Sequence, residues 1–123
     1  MAWLADSDLG RVLGLRPSLA TKFDSFMDNL GADGSVSQVT LDLCRDQVQW
    51  VHGVESNRPD PLNEADRAAL NVAEKMPYGH HDISDADVEA LKRHFGEAGT
   101  VNLLTAIAMF DAQTRMQLVV GGS

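Results

Sequence analysis

The sequence predicts an all-α protein with a single domain, residues 1–123, of which residues 1–15 form a peripheral N-terminal segment. Three observations carry this. Apolar residues recur at helical spacing along the whole chain, and no stretch alternates apolar and polar residues long enough for a strand. Gly and Pro clusters punctuate that pattern at intervals suited to helices. Finally, a chain of 123 residues supports one hydrophobic core.

Five main helices follow in order. After "MAWLADSDLGRVLG", read as a short helical turn, Pro17 opens a helix with an apolar stripe of Leu19, Phe23, Phe26, Met27 and Leu30, closed by Gly31. In "DGSVSQVTLDLCRDQVQWVHG", Ser35 and Gln38 have capping-box spacing, and the stripe is Val36, Val39 or Thr40, Leu43, Cys44, Val48 and Val51. Two prolines in "ESNRPDPLN" end that pattern. Asn63 can cap the third helix, whose face of Ala65, Ala68, Ala69, Val72, Ala73 and Met76 suits close approach of another helix; Pro77 is expected to stop it. Ser84 with Asp87 forms the capping box of the fourth helix, with Ile83 and Val88 as a hydrophobic staple. "TVNLLTAIAMFDAQTRMQLVV" is apolar around most of its circumference near Leu103 to Phe110, as a central buried helix should be.

Composition narrows the functional classes. A net charge of −8 without any Lys/Arg cluster argues against nucleic acid and anionic membrane surfaces as partners. No apolar run approaches the roughly 20 residues of a membrane span, and the acidic N-terminus does not read as a secretory signal. One cysteine leaves no intramolecular disulfide and fits a reducing compartment, so the expected location is cytoplasmic. Phosphate loops, nucleophilic triads and metal motifs are not found, and no cofactor is expected.

The segments "LDLCRDQVQWVHG", "LNEADRAALNVAEKM" and "HDISDADVEALKRHFGEAGTVNLLTAIAMFDAQTRMQ" together resemble the carboxymuconolactone decarboxylase and alkylhydroperoxidase (AhpD-like) family, over residues 36–118. The redox members of that family carry two cysteines separated by two residues just after the "HG" of this helix. A carboxylate lies upstream, and a relay histidine lies downstream. A resolving thiol and a proton relay are what thiol peroxidase chemistry requires. Carried onto this chain, the cysteine positions fall on Val54 and Asn57, the carboxylate on Asp42 and the histidine on Pro61. The resemblance therefore implies an AhpD-like helical bundle that has lost the peroxidase motif. Cys44 lies on the apolar stripe without a partner and reads as a small core residue. The further helix that the family places after the motif is read as deleted here, since only "VESNRPDP" intervenes.

The resemblance and the remaining polar residues imply a small-molecule pocket, with Asp42, His52 and Glu55 as candidate acid–base groups for lyase or isomerase chemistry on a small organic acid. For His52 the alternative is an imidazole that simply sits at a helix C-terminus; for Asp42 it is an i,i+3 partner of Arg45. His80 and His81 read as a solvated loop, because adjacent side chains diverge. Arg115, near the end of a largely buried helix, needs a carboxylate, and Asp111 is the nearest; otherwise it serves a ligand or an interface. Trp50 and Trp3 are candidates to cover a partner surface. A second functional class is a non-catalytic binding or structural module, and in either case a homo-oligomer from dimer to hexamer is expected, as in the family. A third is peroxide reduction through Cys44.

Overall fold

The computed structural model describes residues 7–121, so Trp3 lies outside the described residues. They contain five α-helices and no strand. The helices are α1 (Asp8–Leu13), α2 (Pro17–Ala32), α3 (Gln38–Val51), α4 (Glu64–Gly79) and α5 (Asp85–Gly121), with a 3-10 turn at His80–Asp82. Helices α3, α4 and α5 pack against one another; α2 lies on α5, and α1 touches both α2 and α5. α5 is broken at Gly96, whose backbone (φ 72°, ψ 177°) is not helical, so the two helices expected on either side of this glycine meet there at a kink.

The interior follows the expected stripes where three helices converge. Ala69, Val72 and Ala73 of α4 are fully buried, so the small-residue face does lie against neighbouring helices. Met27, Leu41, Cys44, Val48, Leu91, Leu103, Ile107 and Phe110 complete the centre. Each large apolar side chain there contributes about 1.5–3 kcal/mol. The α2 stripe is only half used: Met27 and Leu30 are buried, whereas Leu19 and Phe26 stay exposed because α2 packs along one narrow face. At the start of α3, Thr40 and not Val39 faces inward.

Three expected boundaries shift, each for a local reason. The N-cap of α3 is Ser37, whose hydroxyl accepts from the Thr40 N–H; Ser35 instead donates its N–H and hydroxyl to the Asp33 carboxylate in a tight turn. Helix α2 runs through Gly31 to Ala32, and the left-handed residue after it is Gly34 (φ 74°). Pro77 does not stop α4; it sits buried inside the last turn, where only its own missing N–H is lost and its carbonyl finds another donor, the Arg115 guanidinium.

Two carboxylates join the helices. Buried Asp66 accepts from the Thr40 hydroxyl at 2.8 Å and from the Leu62 N–H at 3.2 Å, tying α4 to α3, while Asn63 caps α4 by accepting from the Asp66 N–H. At the start of α5, Ser84 and Asp87 form the expected reciprocal capping box. Asp87 also accepts from Lys75 at 2.8 Å and Asn71 at 3.0 Å, both on α4.

The Lys75 hydrogen bond, then the Ser84 N–H, hold the Asp87 carboxyl below the usual carboxylate range. A carboxyl that ionises more readily when folded stabilises the fold above the ordinary value of about 3.9, and that stabilisation fades as pH falls below it. Asp87→Asn is therefore expected to unfold at lower urea than the parent at pH 7, and the gap should close as pH drops through about 4. A gap of equal size at pH 7 and pH 3 would mean that ionisation of Asp87 contributes nothing.

Candidate acid–base site at the helix ends

Helix α3 ends in a Schellman turn. The Gly53 N–H donates to the Trp50 carbonyl and the Val54 N–H to the Gln49 carbonyl, with Gly53 at φ 79°. That reversal leaves His52 as the C-cap residue and directs its ring inward, where the side chain is only 1% exposed.

His52 Nε2 lies 2.6 Å from Asp111 Oδ1, and His52 Nδ1 lies 3.0 Å from the Tyr78 hydroxyl. An ionised carboxylate can only accept, so Nε2 carries the hydrogen and the Nδ1 of a neutral ring accepts from the phenol. Arg115 Nε donates to the same Asp111 oxygen at 3.0 Å, confirming the i−4 partner expected for this arginine, and Arg115 Nη2 donates to the Pro77 carbonyl at 2.6 Å. The guanidinium carbon stands 5.0 Å from the centroid of the Tyr78 ring. Carboxylate, imidazole and phenol thus form a chain from α5 through the end of α3 to the last turn of α4. Its outer member is in water: Tyr78 is 64% exposed.

Such a chain can move a proton. When the phenol gives its hydrogen to a base, or passes it to Nδ1, the adjacent guanidinium favours the developing phenolate and the carboxylate favours the imidazolium.

The other sequence candidates lie elsewhere. Asp42 is half-buried, accepts from Gln38 at 2.9 Å and has Arg45 at 3.7 Å; nothing brings it to His52, which is ten residues or about 15 Å further along the helix axis. Glu55 accepts from the Asn57 N–H at 3.3 Å and lines a shallow cleft with Arg45, Gln49, Gln113 and Gln117, apart from the His52 ring. Trp50 is half-buried, with the Arg58 guanidinium 5.0 Å above its ring. His80 and His81 are exposed in the 3-10 turn, and among the described residues no group of three His, Cys, Asp or Glu is gathered for a metal ion.

Sequence reasoning missed Tyr78 and Gln47. Taking Pro77 as a helix stop removed Tyr78 from α4, although Tyr78 stands one turn beyond Glu74 on the same face. Gln47 falls between Cys44 and Val48 on the buried side of α3, and that position was the available signal. Its amide N and O are both buried with no hydrogen-bond partner, a condition that costs about 1–3 kcal/mol.

Cys44 is fully buried, and that burial, reinforced by the nearby Asp66 charge, pushes its thiol well above the ordinary range. Ellman's reagent should leave Cys44 untouched in the native protein and react fully once denaturant is added. Stoichiometric labelling within minutes under native conditions would place the sulfur at the surface.

No family model, no curated protein and no solved structure matches this chain.

Proposed function

We propose that this chain is an AhpD-like helical protein without the cysteine-pair chemistry, and that it acts on a small organic acid by proton transfer, as a cofactor-independent lyase or isomerase. The observation that supports this reading is the Asp111–His52–Tyr78 chain, in which a half-buried carboxylate and a buried imidazole stand behind an accessible phenol. Tyr78 is the group that meets substrate; His52 takes and returns its proton; Asp111 fixes the ring, and Arg115 fixes Asp111. Arg115 also supplies a positive charge beside the phenol, which suits a carboxylate substrate. The single buried cysteine and the lack, among the described residues, of a helix long and apolar enough to cross a membrane fit a cytoplasmic setting.

Abstraction of a proton next to a carbonyl is read directly as deuterium uptake by NMR. A panel of small 2-oxo and unsaturated carboxylic acids in D2O should contain one that exchanges in the presence of the protein. Tyr78→Phe and His52→Gln should each slow that exchange by about 10²–10⁴-fold. Asp42→Ala separates this reading from the site implied by the family resemblance: it should leave the rate within a factor of about 2, well short of the loss expected for a general base. No exchange with any acid of the panel, or full activity in both Tyr78 and His52 variants, would sink the assignment.

A second reading, an oligomeric binding module, is favoured by one surface. Met116, Val119 and Val120 are exposed on the last turns of α5, beside Arg115, and line a shallow apolar depression of about 240 Å³. Large exposed apolar side chains in one patch mark association surfaces. Light scattering at micromolar concentration should give more than the 13.3 kDa of one chain, and Val119→Asp should shift the species to the monomer. A parent protein that is already monomeric would exclude assembly through this face.

A further inference from the structure

Arg115 is held at three points, yet its side chain is still 47% exposed. The Nε–H goes to Asp111, one Nη2–H goes to the Pro77 carbonyl, and the guanidinium carbon stands 5.0 Å from the Tyr78 ring centroid. A guanidinium has five N–H donors, so three remain on Nη1 and Nη2, and none of them meets a protein acceptor among the described residues. A cation already fixed in place loses little freedom when an anion binds it. The same side chain lines the depression of about 240 Å³ whose other walls are Met116, Val119 and Val120. One fixed positive charge and one apolar surface therefore share a rim, with the phenol against that charge.

We propose that the substrate of the Tyr78 site is an unbranched aliphatic 2-oxo acid, with its carboxylate on Arg115 and its tail along Met116, Val119 and Val120. As a substrate assignment this rests on the acid–base reading; as a binding site it rests on Arg115 and the depression alone. A planar carboxylate matches the paired donors of a guanidinium. The 2-oxo group places an acidic C–H two bonds from that carboxylate, so the reacting carbon stays close to the cation that the phenol touches. Beyond it the walls are apolar, so a hydroxylated tail or a second carboxylate would lose water and gain no partner. Residues 116 to 120 rise about 6 Å along the helix axis, the reach of a tail of about five carbons. A second copy of the chain would bring its own Arg115 to the same rim, charge against like charge, whereas the acid neutralises it.

The test is an NMR titration of the full chain with pyruvate, 2-oxobutanoate, 2-oxohexanoate and 2-oxooctanoate, with deuterium exchange read in the same samples. Each added methylene should tighten binding by about twofold, as for a tail half covered by protein, so 2-oxooctanoate should bind about 30-fold tighter than pyruvate, with a Kd of about 1 mM or below. 2-Octanone, which has a methyl in place of the carboxylate, should bind at least about tenfold more weakly than 2-oxooctanoate. Arg115→Gln should weaken binding of 2-oxooctanoate by about tenfold or more. Val119 and Val120 are exposed, so changing both to Ser leaves the core intact; the 30-fold ratio should fall to about fivefold or less. Selection for the longer tail without exchange would uphold this binding site and sink the acid–base reading. Exchange with equal affinity for pyruvate and 2-oxooctanoate would do the reverse. The proposal is also overturned if 2-octanone binds as tightly as the acid, if the double Ser variant keeps the full ratio, or if light scattering shows a parent oligomer that Val119→Asp separates, since a second copy would then cover the face.

Discussion

The Asp111 carboxylate accepts from His52 at 2.6 Å and from Arg115 at 3.0 Å, and through those bonds the C-terminal ends of α3 and α4 are fixed to α5. Arg115 completes the join by donating to the Pro77 carbonyl of α4. The half-buried carboxylate finds two donors here, and the buried imidazole finds its acceptor, so the carboxylate offsets the loss of water around the ring. The backbone makes the meeting possible: Gly53 reverses the chain directly after His52, and α4 persists past Pro77 long enough to present Tyr78. The atoms of this clamp are also those of the proposed proton path.

Two buried polar residues behave in opposite ways, and the difference carries information. Asp66 is buried and fully engaged, by Thr40 on α3 and by the Leu62 N–H, and it serves as a cross-link between helices. Gln47 is equally buried and engages nothing. A sealed amide without a partner costs stability and returns none, whereas an engaged carboxylate at the same depth ties two helices together. Cys44, one turn before Val48 on the same helix, shows the contrast from the other direction: it is buried among apolar neighbours and behaves as one of them.

The residues that sequence reasoning placed correctly are those governed by neighbours within one helical turn. The Asn63 cap, the Ser84–Asp87 box and the Asp111–Arg115 pair all depend on spacings of four residues or fewer. Even there, Ser35 lost the cap of α3 to Ser37, because Asp33 offered Ser35 a competing hydrogen bond two residues away. The Ala-rich face of α4 was legible because small residues have few other uses on a buried helix. The candidate site was legible only in its parts. His52 and Arg115 could each be singled out, but His52 and Asp111 are 59 residues apart, and no local rule pairs them.

The chain by itself settled the all-α class, the identity of most helices, the small-residue core face of α4 and part of that of α3, where Leu41 and Gln47 escaped it, since these follow from periodicity and capping, which act over a few residues. Packing decided the rest. The Pro77 carbonyl finds its donor in a guanidinium 38 residues later; whether Leu19 and Phe26 are covered depends on how many helices lie against α2; and whether His52 faces water or a carboxylate depends on where α5 runs. Those outcomes come from the balance of desolvation against partners contributed by distant segments, and that balance exists only once the helices have met.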